Sequence, residues 1–383
     1  MKIAYVYDGI YPYLPGGAEK RFWELARRMV KRGHEVHLFG GDIGLGYNTI
    51  EKEGVFIHPL RAPLPRYNRK GKRSLSQVFQ FSFCILFSLW KYRFDIIDTN
   101  AFPYLSFFPL KFYSFFTKTP LVSTWQELWK KYWFSYAGFF IGLFGMFCER
   151  MVLCLSQNIV VHSHSVWQQL KPYCSKKKLV LIPNGIDIDY IEEVKPAGSF
   201  YDIIFVGRLI KEKNIDILLK AFALVVKQRS ESSCLIVGAG PEQSALEQLA
   251  EELEIKDRVN LRHFSDYKDV IAAMKAAKVF VFLSIREGFG IAVIEAMAAG
   301  LPVIAVHAPL NASAELIDDS KNGFLVCLEP EQIAQKILEL LEDEEKRKRF
   351  GLWAKEKVKK FDFSVIVEQT EQLYKQVSLH KRN

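Results

Sequence analysis

The sequence predicts an α/β protein of two domains, each a parallel sheet covered by helices. Three observations carry this expectation. Short apolar runs recur along the chain, each followed by a Gly- or Pro-bearing loop and then an amphipathic stretch, the order of βαβ units. A chain of 383 residues exceeds one ordinary core. The alternation is interrupted once, by the turn signal Pro183-Asn184-Gly185 and the linker-like Lys195 to Gly198, and then starts again. The expected domains are 1–185 and 186–362, with a last helix near 363–383 that packs back onto the first.

In chain order, Ile3 to Tyr7 is a buried parallel strand. The loop Asp8 to Gly17 follows, with Pro12, Pro15 and the pair Gly16-Gly17. Ala18, Phe22, Leu25, Ala26, Met29 and Val30 then share one helical face, and Gly33 closes that helix before the strand Glu35 to Phe39. A glycine loop at a strand's carboxyl end is where open α/β sheets bind ligands. It lacks GxGxxG spacing, and the same glycines also suit a plain turn. Arg61 to Arg73 is basic, with Pro and Gly, and reads as an exposed loop. Ser74 to Trp90 and Tyr132 to Cys148 are each uncharged for 17 residues. That is short for a membrane span, so both read as buried or interface-seeking helices. Phe94 to Thr99, Leu121 to Thr124, Asn158 to Val161 and Leu179 to Ile182 are further strands. The stretch AFPYLSFFPLKFYSFF holds Pro103 and Pro109 and is not one smooth helix.

The second series runs through Asp202 to Val206, Cys234 to Val237, Val259 to Arg262, Val279 to Leu283, Val303 to Val306 and Phe324 to Cys327. Helices are expected near Asn214, at Tyr267 to Ala277, at Ile291 to Ala299 and at Pro330 to Leu341, with a polar one from Phe363. Between Val279 and Gly300 lies VFVFLSIREGFGIAVIEAMAAG, a strand, a loop from Ser284 to Gly290 and a helix. Glu287 sits in the loop and Glu295 in the helix. Gly288 and Gly290 flank Phe289, so the backbone can approach a ligand closely. The helix N-terminus offers N–H groups to phosphate oxygens, and carboxylates accept from sugar hydroxyls. The bland alternative is a strand–turn–helix corner with a solvated Glu. Arg208, after Gly207, and Lys213 also follow a strand end. Together they suit a diphosphate, Arg as a planar fork and Lys as a point charge.

Composition narrows the partners. Hydrophobic content of 49% with 25% charged residues is that of a globular protein, but 30 Phe is heavy. The net charge of +9 is uneven: residues 1–183 carry 25 Lys+Arg against 11 Asp+Glu, and the rest is acidic. A basic, aromatic first half fits an anionic membrane surface, an acidic acceptor or nucleic acid, or simply a solvated face. No nucleic-acid-binding motif accompanies it. The six cysteines show no CxxC pairing and read as scattered core residues of a reducing compartment. His162 and His164 have HxH spacing without a third ligand in view. The chain opens on a strand with no visible signal peptide, and the expected location is cytoplasmic.

VGRLIKEKNIDILLKAF, VGAGPE and SIREGFGIAVIEAMAAGLPV resemble the retaining glycosyltransferases of family 4, as do GGAEK at 16–20, TWQELW at 124–129, IPNGID at 182–187 and NGFLV at 322–326. The resemblance implies a GT-B fold, two Rossmann-like domains facing across a cleft. It implies transfer of a sugar from a UDP- or GDP-sugar to a glycan or lipid-linked acceptor, with retention and with no cofactor or metal. By the same resemblance the catalytic residues are Glu287, Arg208, Lys213 and Gln126. The donor-binding set is Gly16, Gly17, Gly207, Arg208, Lys213, Gly288, Phe289, Gly290, Ile291 and Glu295. Arg208 and Lys213 hold the diphosphate, Glu287 sits by the sugar, and Glu295 accepts from the ribose. One position departs: relatives carry His where this chain has Gln126. Gln hydrogen-bonds but does not become cationic. That departure raises a second reading, a nucleotide-sugar-binding protein with little transferase activity. A sugar-nucleotide epimerase of the same fold is a third.

Overall fold

The computed structural model describes residues 1–14, 16–41, 44, 46–61, 66 and 73–379. Pro15, most of the basic stretch at 61–73 and the last four residues lie outside the described residues. The chain divides into two compact units, Met1–Asn184 with the C-terminal helix, and Gly185–Asp362.

In the first unit eight strands form one sheet: β1 (Lys2–Val6), β2 (Glu35–Gly40), β3 (Ile50–Lys52), β4 (Val55–Pro59), β5 (Ile96–Asn100), β6 (Leu121–Trp125), β7 (Asn158–Val161) and β8 (Leu179–Leu181). Their order is β3-β4-β2-β1-β5-β6-β7-β8. All neighbours are parallel except the edge pair β3–β4, an antiparallel hairpin that the apolar pattern does not announce. Side chains alternate between two cores. Ala4, Val6, Ile97 and Trp125 face one, and Ile3, Tyr5, Ile96 and Val122 the other. A strand buried on both faces reads as a continuous apolar run, which is why β1 was legible.

The helices of this unit are α1 (Gly17–Lys31), α2 (Leu75–Ser88), α3 (Phe107–Thr117), α4 (Tyr132–Ala137), α5 (Phe139–Leu155) and α6 (His164–Leu170). The stretch Tyr132 to Cys148 is not one helix. Gly138, at φ 80°, breaks it into α4 and α5. Pro109 is accommodated in the first turn of α3, where its missing N–H costs nothing. Among the described residues no helix is long and apolar enough to cross a membrane. The C-terminal helix, Phe363–Leu379, docks on α1 and the sheet. Tyr374 donates to Asp98 on β5 at 2.5 Å, and His34 and Arg32 both bond Glu371.

In the second unit β9 (Tyr201–Val206), β10 (Cys234–Val237), β11 (Val259–Arg262), β12 (Ala277–Phe282), β14 (Val303–Val306) and β16 (Gly323–Val326) make a parallel sheet in the order β11-β10-β9-β12-β14-β16. Its helices are α7 (Ile188–Glu193), α8 (Ile215–Gln228), α9 (Gln243–Glu252), α10 (Tyr267–Lys275), α11 (Ile291–Ala298), α12 (Pro330–Glu342) and α13 (Glu344–Val358). The order of strands reverses between β9 and β12. Loops leaving the carboxyl ends of two such strands diverge and leave a crevice. The stretch expected to be a loop from Ser284 to Gly290 contains a short strand, β13 (Arg286–Glu287), paired with β15 (Leu310–Asn311).

Candidate active site

The crevice at β9 and β12 is built from two loops stapled together. After β9, the Gly207 N–H reaches Val237 O at 3.0 Å and the Leu209 N–H reaches Ala239 O at 3.0 Å. This close seat requires glycine at 238, where a Cβ would lie 1.9 Å from Gly207 O. Lys211–Lys213 is a single 3-10 turn rather than the start of a helix, and Asn214 follows in the left-handed region at φ 51°. The Asn214 amide donates to Leu283 O at 2.8 Å, and the Ile285 N–H donates to Glu212 O at 3.2 Å. The two loops therefore form one body.

That stapling brings together two of the expected residues. Lys213 Nζ forms an ion pair with Glu287 Oε1 and lies 5.0 Å from the centre of the Phe282 ring. Both side chains are mostly covered, 14% and 17% exposed. Arg208 is exposed on the same loop. Glu287 is held by the β13–β15 ladder, opposite Asn311. Asn311 is fixed in turn by donating to Val306 O at 2.8 Å and accepting the Ser313 N–H at 3.1 Å.

Gly290, at φ 97°, caps α11 without a side chain, and a Cβ there would meet Ser313 Cβ at 2.5 Å. The N–H groups of Ile291 and Ala292, in the first turn of α11, have no acceptor among the described residues. They carry the helix's partial positive charge. The Phe289 ring is core, 5.5 Å from Phe361 edge-on, so only its backbone faces the loop side. Glu295 is buried and accepts from the Tyr267 hydroxyl at 2.8 Å. Tyr267, stacked on Tyr190 at 5.8 Å, was not singled out from sequence. It opens a helix, but nothing local connects it to Glu295.

Gly16, Gly17 and Gln126 belong to the first unit. Gly16 caps α1, and Gly17 begins it. A Cβ on Gly16 would lie 2.2 Å from Glu19 Oε2, because the Glu19 carboxylate folds back into that space. Glu19 pairs with Arg66, and Asp8, just past β1, is buried between Arg66 and Arg73. The expectation of an exposed basic loop is thus corrected at Arg66 and Arg73, whose side chains are 12% and 7% exposed. The buried carboxylates of Asp8 and Glu19 draw them in. Gln126 lies past β6, its amide nitrogen 3.2 Å from His162 Nε2. His162 Nδ1 is 2.8 Å from Ile182 O, which only accepts. Nδ1 therefore carries the proton, and Nε2 accepts from Gln126. Burial, with Arg21 nearby, pushes His162 down to about 3, so the ring is neutral. Among the described residues no group of three or more His, Cys, Asp or Glu is placed to hold a metal. Cys154 and Cys327 are exposed, unlike the core positions expected of them.

Residues 188–357 match the family of Glycosyl transferases group 1, and residues 15–190 match Glycosyltransferase Family 4. The chain belongs to the family 4 glycosyltransferases. It is a transferase of the hexosyl class with the GT-B fold. This glycosyltransferase is 27% identical over 391 residues to the phosphatidyl-myo-inositol mannosyltransferase of Mycobacterium leprae, covering 96% of each chain. Its fold is similar to that of sucrose-phosphate synthase from Thermosynechococcus elongatus, with TM-score 0.82, 22% identity and 98% of both chains covered. It is also similar to the Anabaena protein HepE, solved with UDP and glucose, with TM-score 0.76, 22% identity and 97% and 99% covered.

Proposed function

We propose that the second unit binds a nucleoside-diphosphate sugar at the β9–β12 crevice and that the enzyme moves the sugar to an acceptor held by the first unit, with retention at the anomeric carbon. The observation that carries this is the Lys213–Glu287 pair at the switch point of the sheet, with exposed Arg208 on the same loop. As the glycosidic bond breaks, negative charge develops on the leaving diphosphate. Arg208, Lys213 and the N–H groups of Ile291 and Ala292 are cations and dipoles fixed in advance of that charge, which lowers the barrier. Lys213 turns from Glu287 toward the phosphate, and Glu287 then accepts from a sugar hydroxyl. Gly207, Gly288, Phe289 and Gly290 let backbone approach the donor, and Glu295 accepts from the ribose alongside Tyr267. In the first unit, Gly16 and Gly17 leave backbone open to the acceptor.

A same-face reaction lets the donor's own phosphate oxygen take the acceptor proton, so a neutral Gln126 suffices to position the sugar. The cationic work falls to side chains, which supports metal-independent, cofactor-free chemistry. HepE's UDP complex supports a UDP-sugar ahead of a GDP-sugar. The phosphatidylinositol-linked acceptor in the mycobacterial relative's name supports a glycan or lipid-linked acceptor here. Exposed phenylalanines on α2, α3 and α5, with Lys111 and Lys118 near them, support peripheral docking on an anionic membrane from the cytoplasmic side. Incubation with labelled UDP- and GDP-sugars and a membrane lipid extract tests the reading. One donor gives a labelled product that keeps the donor's anomeric configuration. An inverted product overturns retention, and no product from any donor overturns the transferase assignment.

A further inference from the structure

The first unit carries an apolar surface that its core does not use. On α2, Leu75, Phe79, Phe83 and Phe87 stack along one side of the helix and are 38%, 54%, 65% and 59% exposed. Phe140, Leu143, Phe144 and Phe147 repeat this on α5. Patches of this kind mark interaction sites.

Beside the two rows opens a cavity of 440 Å³, within the ~300–1,000 Å³ of small-molecule sites. Phe102, Tyr104, Trp133 and Cys148 wall it. Leu75, Ile141 and Phe144 line it and are also exposed, so cavity and surface rows are continuous. Gly145 keeps the groove of α5 open for the Trp133 ring, since a Cβ there would lie 2.5 Å from it. Trp133 is 7% exposed, and its indole N–H is buried with no acceptor among the described residues. Arg73 closes the cavity on another side. It pairs with Asp8, Asp8 with Arg66, and Arg66 with Glu19 against Gly16. Through these ion pairs Arg73 links the cavity wall to the glycine loop after β1.

We propose that this cavity takes the hydrocarbon chain of the acceptor, making the acceptor an amphiphile whose polar head lies toward the Gly16–Gly17 loop. The inference rests on the transferase reading for the role of that amphiphile, not for its binding. An isoprenoid phosphate and a diacyl phospholipid share the chemistry.

Cys148 reports occupancy directly. The full chain is treated with methyl methanethiosulfonate, and labelling at each cysteine is followed by peptide mass. Farnesyl phosphate and dihexanoyl phosphatidylglycerol, each below its micelle concentration, are the probes. At least one of them slows labelling at Cys148 about tenfold, the occupancy of a site at ten times its dissociation constant, and leaves exposed Cys327 unchanged. Whichever probe protects identifies the source, and protection by both supports the shared chemistry. Ala137→Trp fills the cavity and weakens binding about tenfold, the loss of about two buried methylenes, so the slowing at Cys148 falls from about tenfold to about twofold. Ser76→Trp, from the exposed side of the same wall, does so if Ala137→Trp does not fold. Protection by neither probe, or equal protection in a folded filled variant, overturns the inference. Nucleotide-sugar binding is measured separately on the same samples. Its absence with Cys148 still protected sinks the transferase reading and leaves the cavity's ligand standing.

Discussion

The two sheets end in glycine corners that handle charge in opposite ways. In the second unit, Lys213 has one carboxylate partner, Glu287, both mostly covered, and Arg208 on the same loop is exposed. In the first unit, Asp8 and Glu19 lock Arg66 and Arg73 into the interior, each at 12% exposure or less. A polyanion can enter the first arrangement by exchanging partners with Lys213. At the second it finds Arg66 and Arg73 already committed to Asp8 and Glu19, so it can border that corner without exchanging partners there. Similar strand–glycine–helix geometry thus supports two tasks, reactive electrostatics in one unit and shape in the other.

The largest effect should come from breaking the interior arrangement. Asp8→Ala leaves two buried guanidinium groups without their shared carboxylate and should destabilise the first unit by about 3–5 kcal/mol, read by denaturant unfolding. A loss under about 1 kcal/mol would show that these charges are solvated and that the contrast between the corners is false. Next, Arg208→Ala and Glu287→Ala should each lower turnover about a hundredfold, the scale of removing one preorganised group. Their unfolding midpoints should stay close to the parent's. Near-normal turnover in both would dismiss the proposed site.

A pH measurement sharpens the role of Gln126. His162 is held down to about 3 by burial and by Arg21, so it is neutral in the fold and protonates readily only when unfolded. Its contribution is present above the unfolded value near 6.5 and is lost as pH falls from there toward 3. His162→Asn should flatten that part of the stability–pH curve, and an unchanged slope would contradict a buried neutral ring. The smallest effect belongs to a feature outside both corners. Asp343 accepts the Lys346 N–H at 2.8 Å and caps α13. Asp343→Ala should cost about 1 kcal/mol and leave turnover unchanged.

Much of the second unit was legible because its signals are local. Arg208, Lys213, Glu287 and Gly290 each lie within a few residues of a strand end or helix start, and the apolar strands mark those ends. What escaped depends on residues far apart in the chain. The two-residue ladder that holds Glu287 opposite Asn311 has no period to detect. Tyr267 reaches Glu295 only through packing. Arg66 and Arg73 sit in a stretch with the composition of a surface loop, and the carboxylates that bury them come from the loop after β1 and from α1. Gly138 was visible, but a single glycine in an apolar run does not say whether it ends a helix or packs within one. The same ambiguity merged α4 and α5, whose junction helps shape the cavity.

We propose the β9–β12 crevice as the nucleotide-sugar site. Thermal unfolding of the parent and of Arg208→Ala against UDP-, GDP-, ADP- and CMP-sugars tests it most directly. A ligand selective for the folded state at a hundred times its dissociation constant adds about 2.7 kcal/mol. One nucleotide class should therefore raise the parent's midpoint, and that shift should vanish in Arg208→Ala. No shift with any nucleotide sugar, or an equal shift in the variant, would contradict the account.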